Sequence, residues 1–393
     1  MRVVVVGAGL AGVAAAVGLH RCGHEVTLCE RASELREAGT AIAIMLNGVN
    51  ALDSLGLADY ARSQVHPVTS SFLRDWRGRP LLSAGDGLLD VVASIAVVGR
   101  PELHQALRAP LPAGVVRTRT LVDRLNEDET GVSVISAGRE VARADAVIVA
   151  DGIGSVLRSQ LFPGHPGLRR TGRLDLRGMV RAPADVDTAG LLPGNFIDRR
   201  TGAEFGVYPL GTERLYWFTD STLTGEPPAA DQARRQVLDL VADWHPVVPA
   251  LIQATSPDTI YVDAIACLAR PLPAFAVGRV ALIGDAAHAM PPDLGQGASQ
   301  GFEDAAALSK YLAGADPGEV VERLRRYDAE RRPRANRLLR QAVQMSRFTS
   351  QTGAIAWLRD ALIRTVPHRL VIARLASMYG QPEIVTAQTH ATR

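Results

Sequence analysis

Arg2-Val3-Val4-Val5-Val6-Gly7-Ala8-Gly9-Leu10-Ala11-Gly12 opens the chain and decides how the rest is read. An unbroken β-branched run such as Arg2 to Val6 suits a parallel strand buried on both faces. Leu10 to Arg21 is rich in Ala and Val and reads as a helix ending near Gly23, and Glu25 to Cys29 is a second apolar strand. Between strand and helix, Gly7, Gly9 and Gly12 fit G-x-G-x-x-G. The first glycine permits a tight turn, the second a close approach of backbone to a pyrophosphate, and the third close helix–strand packing. Ala8, Leu10 and Ala11 complete the loop, and the helix start offers unpaired N–H groups and a positive dipole end. Glu30 ends the second strand, eighteen positions past Gly12, near the spacing at which a carboxylate meets an adenosine ribose, with Arg31 beside it. A plain strand–turn–helix is the competing reading. The strand, loop, helix and acidic residue together favour a bound dinucleotide, without separating FAD from NAD.

Further along, Val115 to Thr118, Val132 to Ser136, Ala146 to Val149 and Val280 to Ile283 read as strands, and Arg100 to Leu107 as a helix. From about Arg173 to Asp263, short segments such as Glu204-Phe-Gly-Val-Tyr-Pro alternate with turn residues, which predicts an antiparallel sheet. The remainder reads as helical: Gly297 to Ala313, Val320 to Ser350, and a pair across Ala354 to Tyr379. The expected fold class is α/β. A Rossmann-like unit spans residues 1–170 and 264–335, a sheet unit for substrate is inserted at 171–263, and helices occupy 336–393.

Two distant motifs narrow the cofactor. Ala281-Leu-Ile-Gly284-Asp285 ends a buried strand and runs on through Pro292, Gly295-Gln296-Gly297, Ala298 and Ser299. Asp285 at a strand end is placed to accept a hydrogen bond from a ribityl hydroxyl. The Gly-Gln-Gly turn opens a helix whose N–H groups suit the charge a flavin gains on reduction. Ala150-Asp151-Gly152 with Ser155 and Arg158 is the second motif; a mere helix cap by Asp151 is its competing reading.

These motifs, in this order and together with the Arg100-x-x-Leu103-x-x-x-Leu107 helix, resemble the aromatic-ring hydroxylase family of flavin monooxygenases, over Val3 to about Arg334. The resemblance implies FAD as bound cofactor and NADPH or NADH as a transient co-substrate. It also implies transfer of one oxygen atom from O2, through a flavin C4a-hydroperoxide, to an aromatic or alkene-containing molecule by hydroxylation or epoxidation. Arg100 would then contact the FAD phosphates, Asp151 would serve FAD and the nicotinamide cofactor, and Asp285 the ribityl chain. Residues Gly295 to Ser299 would lie against the isoalloxazine, and Val122 joins the cofactor set. Ser299 stands where many members carry Asn or Cys. Where an arginine commonly precedes Phe-Gly in urate hydroxylase-like members, this chain has Glu204, which argues against an anionic substrate. Glu204 and Tyr216 are the substrate candidates, and packing beside Trp217 and Phe218 is the plainer reading of Tyr216. No particular catalytic side chain is singled out. Another FAD oxidoreductase, such as a reductase of an isoprenoid or polyketide, is the alternative, while the absence of a Trp-x-Trp-x-Ile-Pro segment sets halogenases aside.

Composition narrows the rest. With 43 basic and 41 acidic residues in 393, no basic excess points to nucleic acid. Cys22, Cys29 and Cys267 are too scattered for a disulfide framework or a zinc site, and a cytoplasmic setting is expected. No apolar run reaches the ~18 residues of a membrane span, and the N-terminal run is taken as mature structure because it enters the glycine loop. His288 is expected to bond locally, and Ile355, Leu358, Leu362 and Val366 are expected to form a packed helix face rather than a membrane contact.

Overall fold

The computed structural model describes residues 1–35, 39–65, 73–82, 95–184, 186–188, 190–367 and 370. Its organising layer is a six-stranded sheet in the order Ala276–Val277, Val280–Leu282, Ala146–Val149, Arg2–Val6, Glu25–Cys29, Val116–Arg117. Every pairing in it is parallel except that of the first two strands. Val3 to Val6 are all buried, as the β-branched run requires of a strand covered on both faces. The Leu10–Arg21 helix packs on this sheet with Val13 to Val17 fully enclosed. Gly18 lets it lie close to the Gly297–Leu312 helix, because a Cβ there would collide with Ser309.

A second, seven-stranded sheet runs Tyr261–Leu268, Leu168–Arg181, Arg214–Thr222, Ala203–Leu210, Gly194–Asp198, Leu73–Asp75, Pro80–Leu82. It is antiparallel apart from the Gly194–Asp198 and Leu73–Asp75 pair. Side chains alternate between its faces. One face carries Leu174, Leu176, Phe205 and Trp217 against the Ala230–Leu240 and Val247–Ala254 helices. The other carries Tyr208 and Tyr216 against Ala41, Met45 and Leu294. The antiparallel sheet expected over 173–263 is therefore present, and it also recruits residues 73–82 from far upstream. That recruitment leaves no local signal, since pairing across more than a hundred residues depends on register rather than on composition.

One helical expectation differs from the structure, and another lies largely outside the described residues. The last described helix is single, Gly353–Thr365, and the expected continuation to Tyr379 falls mostly outside the described residues. On that helix Ile355, Leu358 and Leu362 are exposed while Ala356 is fully buried, so the packed stripe faces away from the expected one. Two short helices, Leu46–Ser54 and Asp59–Ser63, add to the elements named from the sequence.

Candidate cofactor and substrate site

Parallel strands in register bring the motifs together. Val6 stands beside Cys29 and Val149, and Val149 beside Leu282. Gly7, Glu30, Asp151 and Gly284-Asp285 consequently emerge at the carboxyl edge of one sheet, where ligands of open α/β sheets sit. Gly7 has φ +100°, which favours glycine, and a Cβ there would strike the Ala150 carbonyl. A Cβ on Gly12 would collide with the Gly7 carbonyl oxygen. Gly9 caps the following helix in an extended conformation, and no side chain satisfies the first turn. Those N–H groups are suited to an anion.

Glu30 is docked onto this loop: its carboxylate accepts from Ala8 N and Ala32 N, both at 2.9 Å. His104 bonds the Ala8 carbonyl at 2.7 Å, fixing the loop from the other side. Arg31 is exposed, Val122 is buried, and Arg100 is half-buried at the start of its helix, packed over Gly39.

Asp151 accepts from Leu157 N at 3.4 Å through one oxygen, whereas its Oδ1 is buried with no hydrogen bond among the described residues. Burial pushes its carboxyl up, opposed by Ser155 and the Leu157 amide. Arg158, quoted in the sequence motif without a role, is buried and spends its donors on three carbonyls: Ile153 at 2.7 Å, Ala286 at 3.2 Å and Asp285 at 3.3 Å. It ties the Asp-Gly turn to the Gly-Asp turn. Asp285 itself is exposed at the cleft edge. Gly284, at φ +56°, packs on Ala11, and its N–H donates to Asp304 at 2.9 Å. His288 bonds the same Asp304 oxygen at 2.7 Å, the local role expected of it.

The floor of the cleft is the Gly295–Ser299 turn. Gly295 has φ +61° and packs on Met45, Pro292 is exposed, and Gly297 and Ala298 are half-buried. Gln296 precedes the helix without capping it. The Ser299 hydroxyl does not face the cleft: it accepts from Met45 N at 3.1 Å, bracing the Leu46–Ser54 helix. Beneath the turn, Gln296, Gln300, Asn47 and Glu303 are bonded together, and Arg331 and Arg334 both pair with Glu303.

Against this floor stands one face of the seven-stranded sheet. Tyr208 stacks on Phe218 at 6.3 Å, with Tyr216 tilted against Phe218 at 6.4 Å. Beside these rings, register aligns Asp263, Asp175, Asp220 and Glu204 on four adjacent strands. Arg173 pairs with Asp220 at 2.7 Å and Arg177 with Asp175 at 3.0 Å and with Asp263. Glu204 has no ion-pair or hydrogen-bond partner among the described residues, and burial, then Asp293 and Asp220, push its carboxyl up to about 8. Both substrate candidates thus lie on the face turned to the floor. The sequence concealed Asp175 and Asp220 because the row exists only once the strands are in register. A cavity of about 320 Å³ lined by Leu174, Ser221, Thr222 and Gln236 opens on the opposite face of this sheet, away from all these groups.

The FAD binding domain family matches residues 1–342. The FAD-dependent urate hydroxylase of Klebsiella pneumoniae is 31% identical over 87% of this chain and 88% of its own length. Salicylate hydroxylase of Pseudomonas putida is 34% identical over 92% and 88% respectively. Among solved structures, Klebsiella pneumoniae HpxO complexed with FAD and uric acid superposes with a TM-score of 0.87 at 28% identity, covering 96% of each chain.

Proposed function

This chain belongs to the family of FAD-dependent aromatic hydroxylases, and from that premise we propose how its residues share the work. It is an NAD(P)H-dependent FAD monooxygenase acting on a small aromatic molecule with O2. FAD, reduced by NADPH or NADH, supplies the activation of O2 from which one oxygen atom reaches the substrate.

The observation that carries the assignment of roles is the shared carboxyl edge of Gly7, Glu30, Asp151 and Gly284-Asp285. The Gly7 to Gly12 loop holds the pyrophosphate, helped by Arg100. Gly7 and Ala8 shape it with their N–H groups bonded to Cys29 and Glu30, and the N–H groups from Gly9 on are free. Glu30 accepts from the adenosine ribose, and Arg31 and Val122 flank it. Asp285 accepts from the ribityl hydroxyls. Gly295, Gly297, Ala298 and Ser299, with Pro292, shape the floor beneath the ring, Ser299 acting through Met45. The uncapped Gly297–Leu312 helix supplies N–H groups where negative charge gathers on reduction. The residues fit the group: the glycines leave room that a Cβ would fill, and the orphaned Asp151 Oδ1 awaits a donor.

The three parts of the chain divide accordingly: residues 1–170 with 264–335 hold FAD, 171–263 with 73–82 present the substrate, and residues 336–367 brace the two. The sheet and floor exclude water and orient the ring, which is the protein's main contribution to oxygen transfer. Among the described residues no helix is long and apolar enough to cross a membrane. Cys22, Cys29 and Cys267 are free thiols, which suits the reducing cytoplasm we infer.

The test is uptake of FAD by purified protein, followed by NADPH or NADH oxidation across a panel of phenols and fused-ring aromatics. A yellow protein with one FAD per chain, whose oxidation of NAD(P)H rises while peroxide release falls with a true substrate, is the expected result. Protein that takes up no FAD would sink the assignment.

A further inference from the structure

Register places four carboxylates side by side on the inner sheet face, and like charges directly opposite one another on a sheet are destabilising. Three are ion-paired: Asp220 with Arg173, and Asp175 and Asp263 with Arg177. A third guanidinium nearby, Arg359, is engaged with Asp360 and with the Phe348 and Thr349 carbonyls. Glu204 and the facing Asp293 are left without an ion pair among the described residues, Arg173 being near both but bonded to Asp220. Asp293 sits in the turn just before the Gly295 floor and receives the Thr349 hydroxyl on Oδ1, at 3.2 Å, with the Ser346 hydroxyl and its own amide also turned to the carboxyl. Its Oδ2 is buried and unbonded.

A separate observation lies at the Tyr216 end of the aromatic wall. Thr40, 2% exposed, lies beside the Tyr216 phenol, and its Oγ1 makes no hydrogen bond of good geometry among the described residues. Buried polar groups are nearly always bonded, and a native exception calls for a partner. Tyr216 belongs to the aromatic wall with Tyr208 and Phe218 that adjoins the carboxylates. A ring-sized apolar wall therefore stands above the cofactor floor, with an unbonded hydroxyl at its Tyr216 end and two carboxyls lacking an ion pair at the other.

Resting on the flavin reading above, we infer that the substrate is an aromatic ring carrying a basic nitrogen, whose ammonium is received between Glu204 and Asp293 while the ring lies on Tyr208, Tyr216 and Phe218. An ammonium supplies the donors both carboxyls lack and cancels their mutual repulsion. A carboxylate-bearing ring would add a negative charge where burial and neighbouring carboxyls already disfavour one, whereas an ammonium favours the ionised form of both carboxyls.

The test uses holoenzyme and three probes with the same ring: 4-hydroxyphenethylamine, 4-ethylphenol and 4-hydroxyphenylacetate. Dissociation constants are read from the perturbation of flavin absorbance. The amine should bind at least about tenfold more tightly than either analogue, a gap of ~1.4 kcal/mol. In Glu204→Gln and in Asp293→Asn, each checked for FAD stoichiometry, the ratio of amine to neutral affinity should fall toward one. Equal or tighter binding of the acid or the neutral phenol, or no amine binding up to ~100-fold above a typical micromolar-to-millimolar KM, overturns the inference. The wild-type panel decides this even if a variant fails to fold. FAD stoichiometry and reduction by NADPH without substrate are measured on the same samples, so a failure of the flavin reading shows itself separately.

Discussion

A carboxyl group at position 204 is more easily buried protonated than ionised. Asp220 and Asp175 share its sheet face, Asp293 faces it, and Arg173 and Arg359 oppose them without pairing to it. The folded chain therefore keeps this proton to about pH 8, whereas an unfolded chain releases it near a pH of ~4.3. Between those limits the folded state binds more protons, so stability falls as pH rises through the window. Asp220, pushed to about 7, and Asp175, to about 6, each by burial against an arginine, act in the same direction. The melting temperature of apo-protein should drop between pH 5 and pH 8.5, and Glu204→Gln should flatten part of that slope; a melting temperature that climbs through the window would contradict the assignment. At Asp285, exposed and aimed along the cleft edge, the expectation concerns binding instead. Losing a charged hydrogen bond of ~1.5–3 kcal/mol should weaken FAD by about ten- to a hundredfold in Asp285→Ala. Circular dichroism should stay unchanged, since no described side chain depends on that carboxylate.

Single elements show which features could be read from sequence. The Arg2–Val6 strand, the Leu10–Arg21 helix and the Gly297–Leu312 helix were legible because their patterns are local: a buried run, a glycine loop, an apolar period. The Gly353–Thr365 helix was misread because its period fits two faces, and only packing shows that Ala356, Arg359 and Asp360 are the buried ones. It follows that Leu358→Glu and Leu362→Glu should each change stability by about 0.5 kcal/mol or less, as exposed substitutions do. Ala356→Glu should cost several-fold more, and thermal melts of the three variants would show the order. The Val320–Thr349 helix is tied to the floor helix by Arg331 on Glu303 and Asp304 and by Arg334 on Glu303. Burial pushes Glu303 up, yet those two arginines outweigh it and hold its carboxyl below the usual range. Breaking a buried pair costs ~3 kcal/mol or more. Glu303→Gln should accordingly lower the denaturant midpoint and also weaken FAD, because Gln300 and Asn47, which carry the floor, bond to the same carboxylate.

Across the whole molecule, the motifs for the cofactor come from three well-separated stretches of chain, and one sheet edge collects them. Bound FAD should therefore report on the folded state as a unit. At a free concentration a hundred times its Kd it should add about 2.7 kcal/mol to the unfolding free energy, read as a rise in melting temperature that saturates with FAD. The family, the cofactor and the α/β organisation could be inferred from short motifs. The substrate face could not, because Asp175, Glu204, Asp220 and Asp263 are separated by up to 88 positions and become neighbours only through strand pairing. Ser299 shows a smaller version of the same gap: its hydroxyl could be counted in the sequence, but its engagement by Met45 could not.

The carboxylate row also bears on how such a pocket can be inherited and altered. Each strand contributes one residue to it, and the next residue along points into the helix-covered core, as Leu174 and Phe205 do. A lineage can therefore change the charge its pocket prefers by a single base, since every glutamate codon lies one substitution from lysine. The flavin edge, tens of residues away in the chain, need not change with it. Preference for a substrate and possession of the cofactor are, in this fold, separately heritable traits.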